Sequence, residues 1–122
     1  MASDPPIAWA SLDQLADEVG AAVLPRLLRT FFAEAETRLG AFARLSQEGA
    51  EGGEGGRLHR EIHSLKSAAA SFGAAALATR AAEIEDAIEA GTYRHDPKDL
   101  AALAGLFAAF RDAVKRRGIA VD

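Results

Sequence analysis

Leu58-His59-Arg60-Glu61-Ile62-His63-Ser64-Leu65-Lys66-Ser67-Ala68-Ala69-Ala70-Ser71-Phe72-Gly73 is the stretch that decides how this chain folds. Leu58, Ile62, Leu65, Ala69 and Phe72 recur at alternating four- and three-residue steps, the period of a helix with one buried stripe. Nothing before Gly73 breaks that pattern, and Gly73 stands where a left-handed helix stop belongs. The spacing predicts a helix over 57–72 whose apolar stripe must be covered by other helices.

The same period extends in both directions. Downstream, a helix is expected over 74–90, with Leu77, Ala81, Ile84, Ala87 and Ile88 inward and Gly91 at its end. A turn over 92–96 leads to Pro97, where a last helix starts and runs to about 117, burying Leu100, Leu103, Leu106, Phe107, Phe110 and Val114. Upstream, residues 48–56 are acidic and glycine-rich and read as a connector. They lack both the Gly-Lys-Ser/Thr ending and the preceding strand of a phosphate-binding loop. A long helix is expected over 21–47, with Val23, Leu27, Leu28, Phe31, Phe32, Ala35, Leu39, Phe42 and Leu45 on its stripe and Pro25 near its first turn. Gly20 separates it from a short helix capped by Ser11 or Asp13 and running to Glu18, with Leu12, Leu15 and Ala16 inward. Residues 1–10, with Pro5-Pro6, read as an extended arm. The fold class that follows is all-α: an antiparallel four-helix bundle with a short extra N-terminal helix, one domain over 11–122.

Composition agrees. The chain has 122 residues, enough for one core, and its many alanines favour helix. It has no cysteine, which excludes disulfides, thiolate metal sites and iron–sulfur clusters and fits a reducing cytoplasm. A net charge of −4 offers no general attraction for nucleic acid. The one basic cluster, Lys115-Arg116-Arg117, reads as a complement to the last helix's dipole. No segment is apolar for long enough to span a membrane, and the first residues do not resemble a signal peptide.

The chemistry lies on the flank of the helix quoted first. Residues three and four apart share a face, so His63 lies beside Lys66 and Ser67 on one side and His59 and Arg60 on the other. Ile62 and Leu65 point into the bundle, which turns His63 to the rim. A neutral imidazole there is a nucleophile near neutral pH, and a lysine one turn on supplies positive charge for phosphoryl oxygens. Ser67, Ala70 and Ser71 are small enough to admit a partner close to the ring. No acidic cluster beside His63 suits magnesium, so the metal of such chemistry is expected on the partner. These features describe a phosphoryl carrier without a nucleotide site of its own.

The segment resembles the histidine-containing phosphotransfer (HPt) domains of multistep phosphorelays. Their motif, His-x-Leu-Lys-Gly/Ser with a glycine ten residues after the histidine, is matched by His63-Ser64-Leu65-Lys66-Ser67 and Gly73. Ala74 and Leu77 follow, Ile84-Glu85 matches the family's Leu/Ile-Glu on the next helix, and Gly91 matches its later glycine. Two positions depart from the pattern: Ser67, where glycine is commoner, and Ile62, where alanine is usual. The resemblance implies that His63 accepts a phosphoryl group from a receiver-domain aspartate and passes it to another receiver. It implies response-regulator receiver domains and a hybrid histidine kinase as partners, with Mg2+ on the receiver and no cofactor on this chain. It also implies a cytoplasmic monomer. Lys66 would neutralise phosphoryl charge, and Glu85, at the position of a family carboxylate, would hydrogen-bond the His63 ring. His59, Arg60, Ser67, Ala70 and Ser71 are expected to form the docking surface.

Other readings stand beside this one. Glu83, Glu85, Asp86 and Glu89 together can be a solvated acidic helix face. His59 and His63, four apart, can pair on a metal, although no third ligand is evident near them and the His-Glu-x-x-His pattern is absent. A histidine kinase dimerisation domain would place an acidic residue directly after the histidine, where Ser64 stands. A purely structural or protein-interaction bundle would leave the motif as coincidence.

Overall fold

A computed structural model of the chain describes residues 7–47 and 55–121. It contains α1 (Trp9–Val19), α2 (Leu24–Gln47), α3 (Gly55–Ser71), α4 (Ala75–Glu89) and α5 (Pro97–Arg116), with no strand among the described residues. Helices α2 to α5 form an antiparallel bundle in which each packs against its chain neighbours and α5 closes back on α2. Helix α1 lies across α2 and α3 and plugs the end of the core with Leu12.

The interior is the set of stripes read from the sequence. Leu28, Phe31, Ala35, Phe42 and Leu45 of α2 meet Leu58, Ile62, Leu65 and Ala69 of α3, Leu77, Ala81 and Ile84 of α4, and Leu103, Phe107, Phe110 and Val114 of α5. At the centre the Phe31 ring stacks on Phe72 at 4.8 Å and meets Phe107 and Phe110 edge-on at 6.3 and 5.9 Å. Val23 departs from expectation: it is 37% exposed. Residues 21–23 form a turn before α2, so Leu24 takes the first buried place on the stripe.

Helix ends show why some boundaries differ. Pro97 stands in the first turn of α5, as the sequence implies, and Asp96 caps the helix by accepting a hydrogen bond from the Lys98 N–H at 2.9 Å. Helix α1 instead begins at Trp9, inside the expected arm, and neither Ser11 nor Asp13 caps it. Its entry is fixed by tertiary structure: the Ala8 N–H donates to the Gly73 carbonyl at 2.7 Å. Helix α3 starts two residues before the expected Arg57. Residues 1–6 of the arm and 48–54 of the connector lie outside the described residues.

Gly73 ends α3 with φ +80°, its N–H donating to the Ala70 carbonyl while the Ala74 N–H reaches back to Ala69. This two-bond closure satisfies carbonyls that the helix cannot. A Cβ at Gly73 would also stand 2.6 Å from the Ala8 carbonyl oxygen, which belongs to backbone and cannot swing aside. Gly73→Ala is therefore expected to cost at least about 1–2 kcal/mol from the left-handed conformation alone, with the contact against Ala8 added. A urea midpoint unchanged from wild type would refute this account of the turn.

Candidate functional site

Helices α3 and α4 are antiparallel and joined by a three-residue turn, Phe72 to Ala74. Burial of Leu58, Ile62, Leu65 and Ala69 turns the neighbouring flank of α3 toward α4 and solvent. His63 lies on that flank, with a side chain 53% exposed. Facing it, Glu85 follows the buried Ile84 and is itself buried, its side chain 4% exposed. Among the described residues Glu85 and Ser46 are the buried polar groups, and Glu85 is the charged one.

The Glu85 carboxylate is divided between two donors, Lys66 and His63, with a third nitrogen close by. Its Oε1 pairs with Lys66 Nζ at 2.5 Å. Its Oε2 lies 2.6 Å from His63 Nδ1 and 3.3 Å from His59 Nε2. Buried charge of this kind is tolerated only when paired and hydrogen-bonded. Burial pushes the Glu85 carboxyl upward, but hydrogen bonds from Lys66 and His63, with their charges, outweigh it and hold the group below its ordinary value of 4.5. Conversely, the hydrogen bond to Glu85 raises Lys66 above its ordinary 10.5, against some desolvation.

An ionised carboxylate only accepts, so at 2.6 Å His63 Nδ1 must carry the proton. In the neutral ring Nε2 then holds the lone pair, on an exposed face. His59 is arranged the other way round: its Nε2 is engaged by Glu89 Oε2 at 2.8 Å. The two rings lie nearly parallel with centroids 6.1 Å apart and turn different nitrogens toward the acids of α4.

The sign of the Glu85 shift sets a pH dependence. A carboxyl lowered in the folded state contributes stability that is present above its unfolded value and lost as pH falls through the folded one. Stability should therefore decline below about pH 4.5, and Glu85→Gln should flatten that acid limb. Denaturant midpoints measured from pH 7 to pH 3 decide it; parallel curves for the two proteins would remove the carboxylate from the account.

Lys66 and Glu85 thus join His63 in one constellation. Arg60, Ser67, Ala70 and Ser71 are exposed beside it. Ser71 Oγ donates to the Ser67 carbonyl at 3.1 Å, so this hydroxyl is satisfied within its own helix. Ala70 and Ser71 also border a shallow groove against α1, lined further by Ser11, Gln14, Leu15 and Glu18. Arg117, of the basic cluster, lies away from this face, over Trp9 at 4.1 Å and 3.3 Å from Asp13. The alternative reading of His59 and His63 as a metal pair is not what the structure assembles, because His59 faces Glu85 and Glu89. The spacing contained that signal. In an antiparallel hairpin, four residues back from His63 to His59 correspond to four residues on from Glu85 to Glu89.

Three comparisons with known proteins agree with this geometry. The Hpt domain family model matches residues 26–113. The phosphorelay protein LuxU of Vibrio harveyi is 31% identical over 105 residues, covering 85% of this chain and 88% of its own. The crystal structure of histidine-containing phosphotransfer protein B (HptB) from Pseudomonas aeruginosa PAO1 superposes with a TM-score of 0.81 at 28% identity, over 94% of this chain and 96% of that one. With a family match that spans the bundle, the chain belongs to the Hpt domain family.

Proposed function

We propose that His63 is the residue on which this histidine phosphotransfer protein carries its phosphoryl group in a phosphorelay. The observation that carries the reading is the 2.6 Å contact between His63 Nδ1 and Glu85, with Lys66 on the other carboxylate oxygen. The Nε2 lone pair attacks the phosphorus of an aspartyl phosphate on a receiver domain. The N–P bond forms as the P–O bond to the aspartate breaks, and the aspartate leaves as carboxylate. The ring, still protonated at Nδ1, becomes cationic as Nε2 is phosphorylated, and the Glu85 carboxylate is already placed to stabilise that charge. Lys66 has three N–H donors, so one can remain on Glu85 while the others meet phosphoryl oxygens. Reversal onto a second receiver uses the same groups.

The exposed flank of His59, Arg60, Ser67, Ala70 and Ser71 is the surface on which a receiver docks. The magnesium ion of the reaction belongs to that receiver, and a hybrid histidine kinase is the source of phosphate. The protein acts as a monomer in the cytoplasm. No helix among the described residues is long and apolar enough to cross a membrane.

The test is transfer itself. A receiver domain charged with labelled phosphate is mixed with the full chain, and label should move onto it in a linkage stable to base and labile to acid. The isolated chain with ATP should remain unlabelled; robust self-labelling would point to a kinase instead. Within the site, Lys66→Ala should slow transfer roughly tenfold to a hundredfold, the scale of one charge-assisted contact. Glu85→Ala should slow it modestly and release the ring from a single tautomer. Nitrogen chemical shifts of His63 report this directly, and the same Nδ1–H form in wild type and variant would deny Glu85 its orienting role.

A further inference from the structure

One helical turn from His63, a second grouping of side chains bridges α3 and α4. We propose that His59, Glu85 and Glu89 bind a zinc-class divalent ion, and that an ion held there draws Glu85 away from His63; this second half rests on the phosphoacceptor reading above.

The donor atoms are already assembled. One ring nitrogen and one oxygen from each carboxylate lie within 4.8 Å of one another. His59 Nε2 is 2.8 Å from Glu89 Oε2 and 3.3 Å from Glu85 Oε2. A tetrahedral ion with bonds of about 2.0–2.2 Å holds its ligand atoms roughly 3.3–3.6 Å apart, so small side-chain movements suffice. The fourth position would face solvent beside Glu89, which is exposed. All three ligands come from helices, and Glu85 is buried with its other oxygen held by Lys66. Its Oε2 is therefore aimed by the fold.

Charge favours the same occupant. Glu85 and Glu89 stand four apart on one helix, where like charges repel. Lys66, the lysine paired with Glu85, sits on the far oxygen from Glu89. A divalent ion between Glu85 and Glu89 would relieve that repulsion. One imidazole with two carboxylates suits zinc, whereas magnesium prefers six oxygen ligands and sheds water reluctantly. The magnesium that accompanies a receiver would thus leave this site alone. To coordinate, His59 Nε2 gives up its proton to solvent and the ring takes one at Nδ1.

The consequence follows from one shared atom. Glu85 Oε2 is both the proposed ligand and the acceptor for His63 Nδ1–H. An ion that claims it frees the His63 ring to rotate and change tautomer.

Calorimetric titration of zinc sulfate into the full chain at neutral pH should show one ion bound per chain. Glu89→Ala and His59→Gln should each weaken binding at least about tenfold, while His95→Gln should not. Magnesium at the same concentration should give no binding. The His63 nitrogen shifts should move on zinc addition. No binding in excess zinc, or binding that survives Glu89→Ala, would overturn the site. In the transfer assay zinc should slow labelling of the wild type and not of Glu89→Ala, whose rate without zinc should be normal. Equal zinc sensitivity of the two proteins would overturn the coupling. If no label ever reaches the chain, the phosphoacceptor reading fails while calorimetry still decides the site.

Discussion

His63→Gln should accept no phosphoryl group and should fold as wild type does. The loss is complete because the reacting atom itself is removed: glutamine has no ring nitrogen with a free lone pair, and a neutral amide does not attack phosphorus. His59 cannot substitute, since its Nε2 is bound to Glu89 and lies a helical turn away. The fold survives because His63 lies outside the stripe of Leu58, Ile62, Leu65 and Ala69. The side chain is half exposed, so stability should change by no more than about 0.5–1 kcal/mol. Labelling from a phosphorylated receiver, read beside circular dichroism, separates the two halves. Acid-labile label on the variant would transfer the role to another residue; a collapsed spectrum would show that His63 holds the bundle together.

Phe31→Ala should cost about 3–5 kcal/mol, the largest stability loss of any single truncation proposed. Phe31 is 2% exposed and is surrounded by aromatic rings from α2, the turn between α3 and α4, and α5. Truncation removes the transfer free energy of the ring and its edge contacts, and it leaves a cavity among neighbours already set in their own packing. Domains of this size are stable by roughly 5–15 kcal/mol, so about a fifth of the total or more would go. Urea unfolding at 25 °C measures it, and a loss below about 1 kcal/mol would show that the bundle repacks freely. Phosphoryl acceptance by the folded fraction should persist, because Phe31 touches none of His63, Lys66 or Glu85.

The bundle was legible because four stripes of period 3.6 run through the chain and strong stop signals punctuate them. Helix α5 shows this best: Pro97 marks its start in sequence, and the structure places it in the first turn. Helix α1 shows the opposite. Its start depends on a hydrogen bond from Ala8 to Gly73, 65 residues away in the chain, and no local side chain announces it. Val23 fits the helical period yet lies outside the helix, since periodicity does not say where winding begins. In the site, His63 and Lys66 share one helix, and spacing alone brings them together. Periodicity leaves Glu85 as one of four acids on its helix; the family resemblance singles it out, and its burial against α3 is what sets it physically apart from Glu83, Asp86 and Glu89. Burial is a property of the packed bundle. The place of Glu89 beside His59 follows from spacing once His63 is paired with Glu85 across the hairpin.

The three-residue turn between α3 and α4 has a kinetic consequence. All the groups proposed to handle phosphate lie on the two arms of this one hairpin, with His63 and Glu85 only 22 residues apart in sequence. Closing so short a chain segment costs little entropy and takes far less time than bringing α5 back to α2. The reactive constellation therefore rests on one of the least costly chain closures in the bundle, while the burial of Glu85 waits on the rest of the core. The Gly73 turn sets the first of these and the packing of α2 and α5 the second.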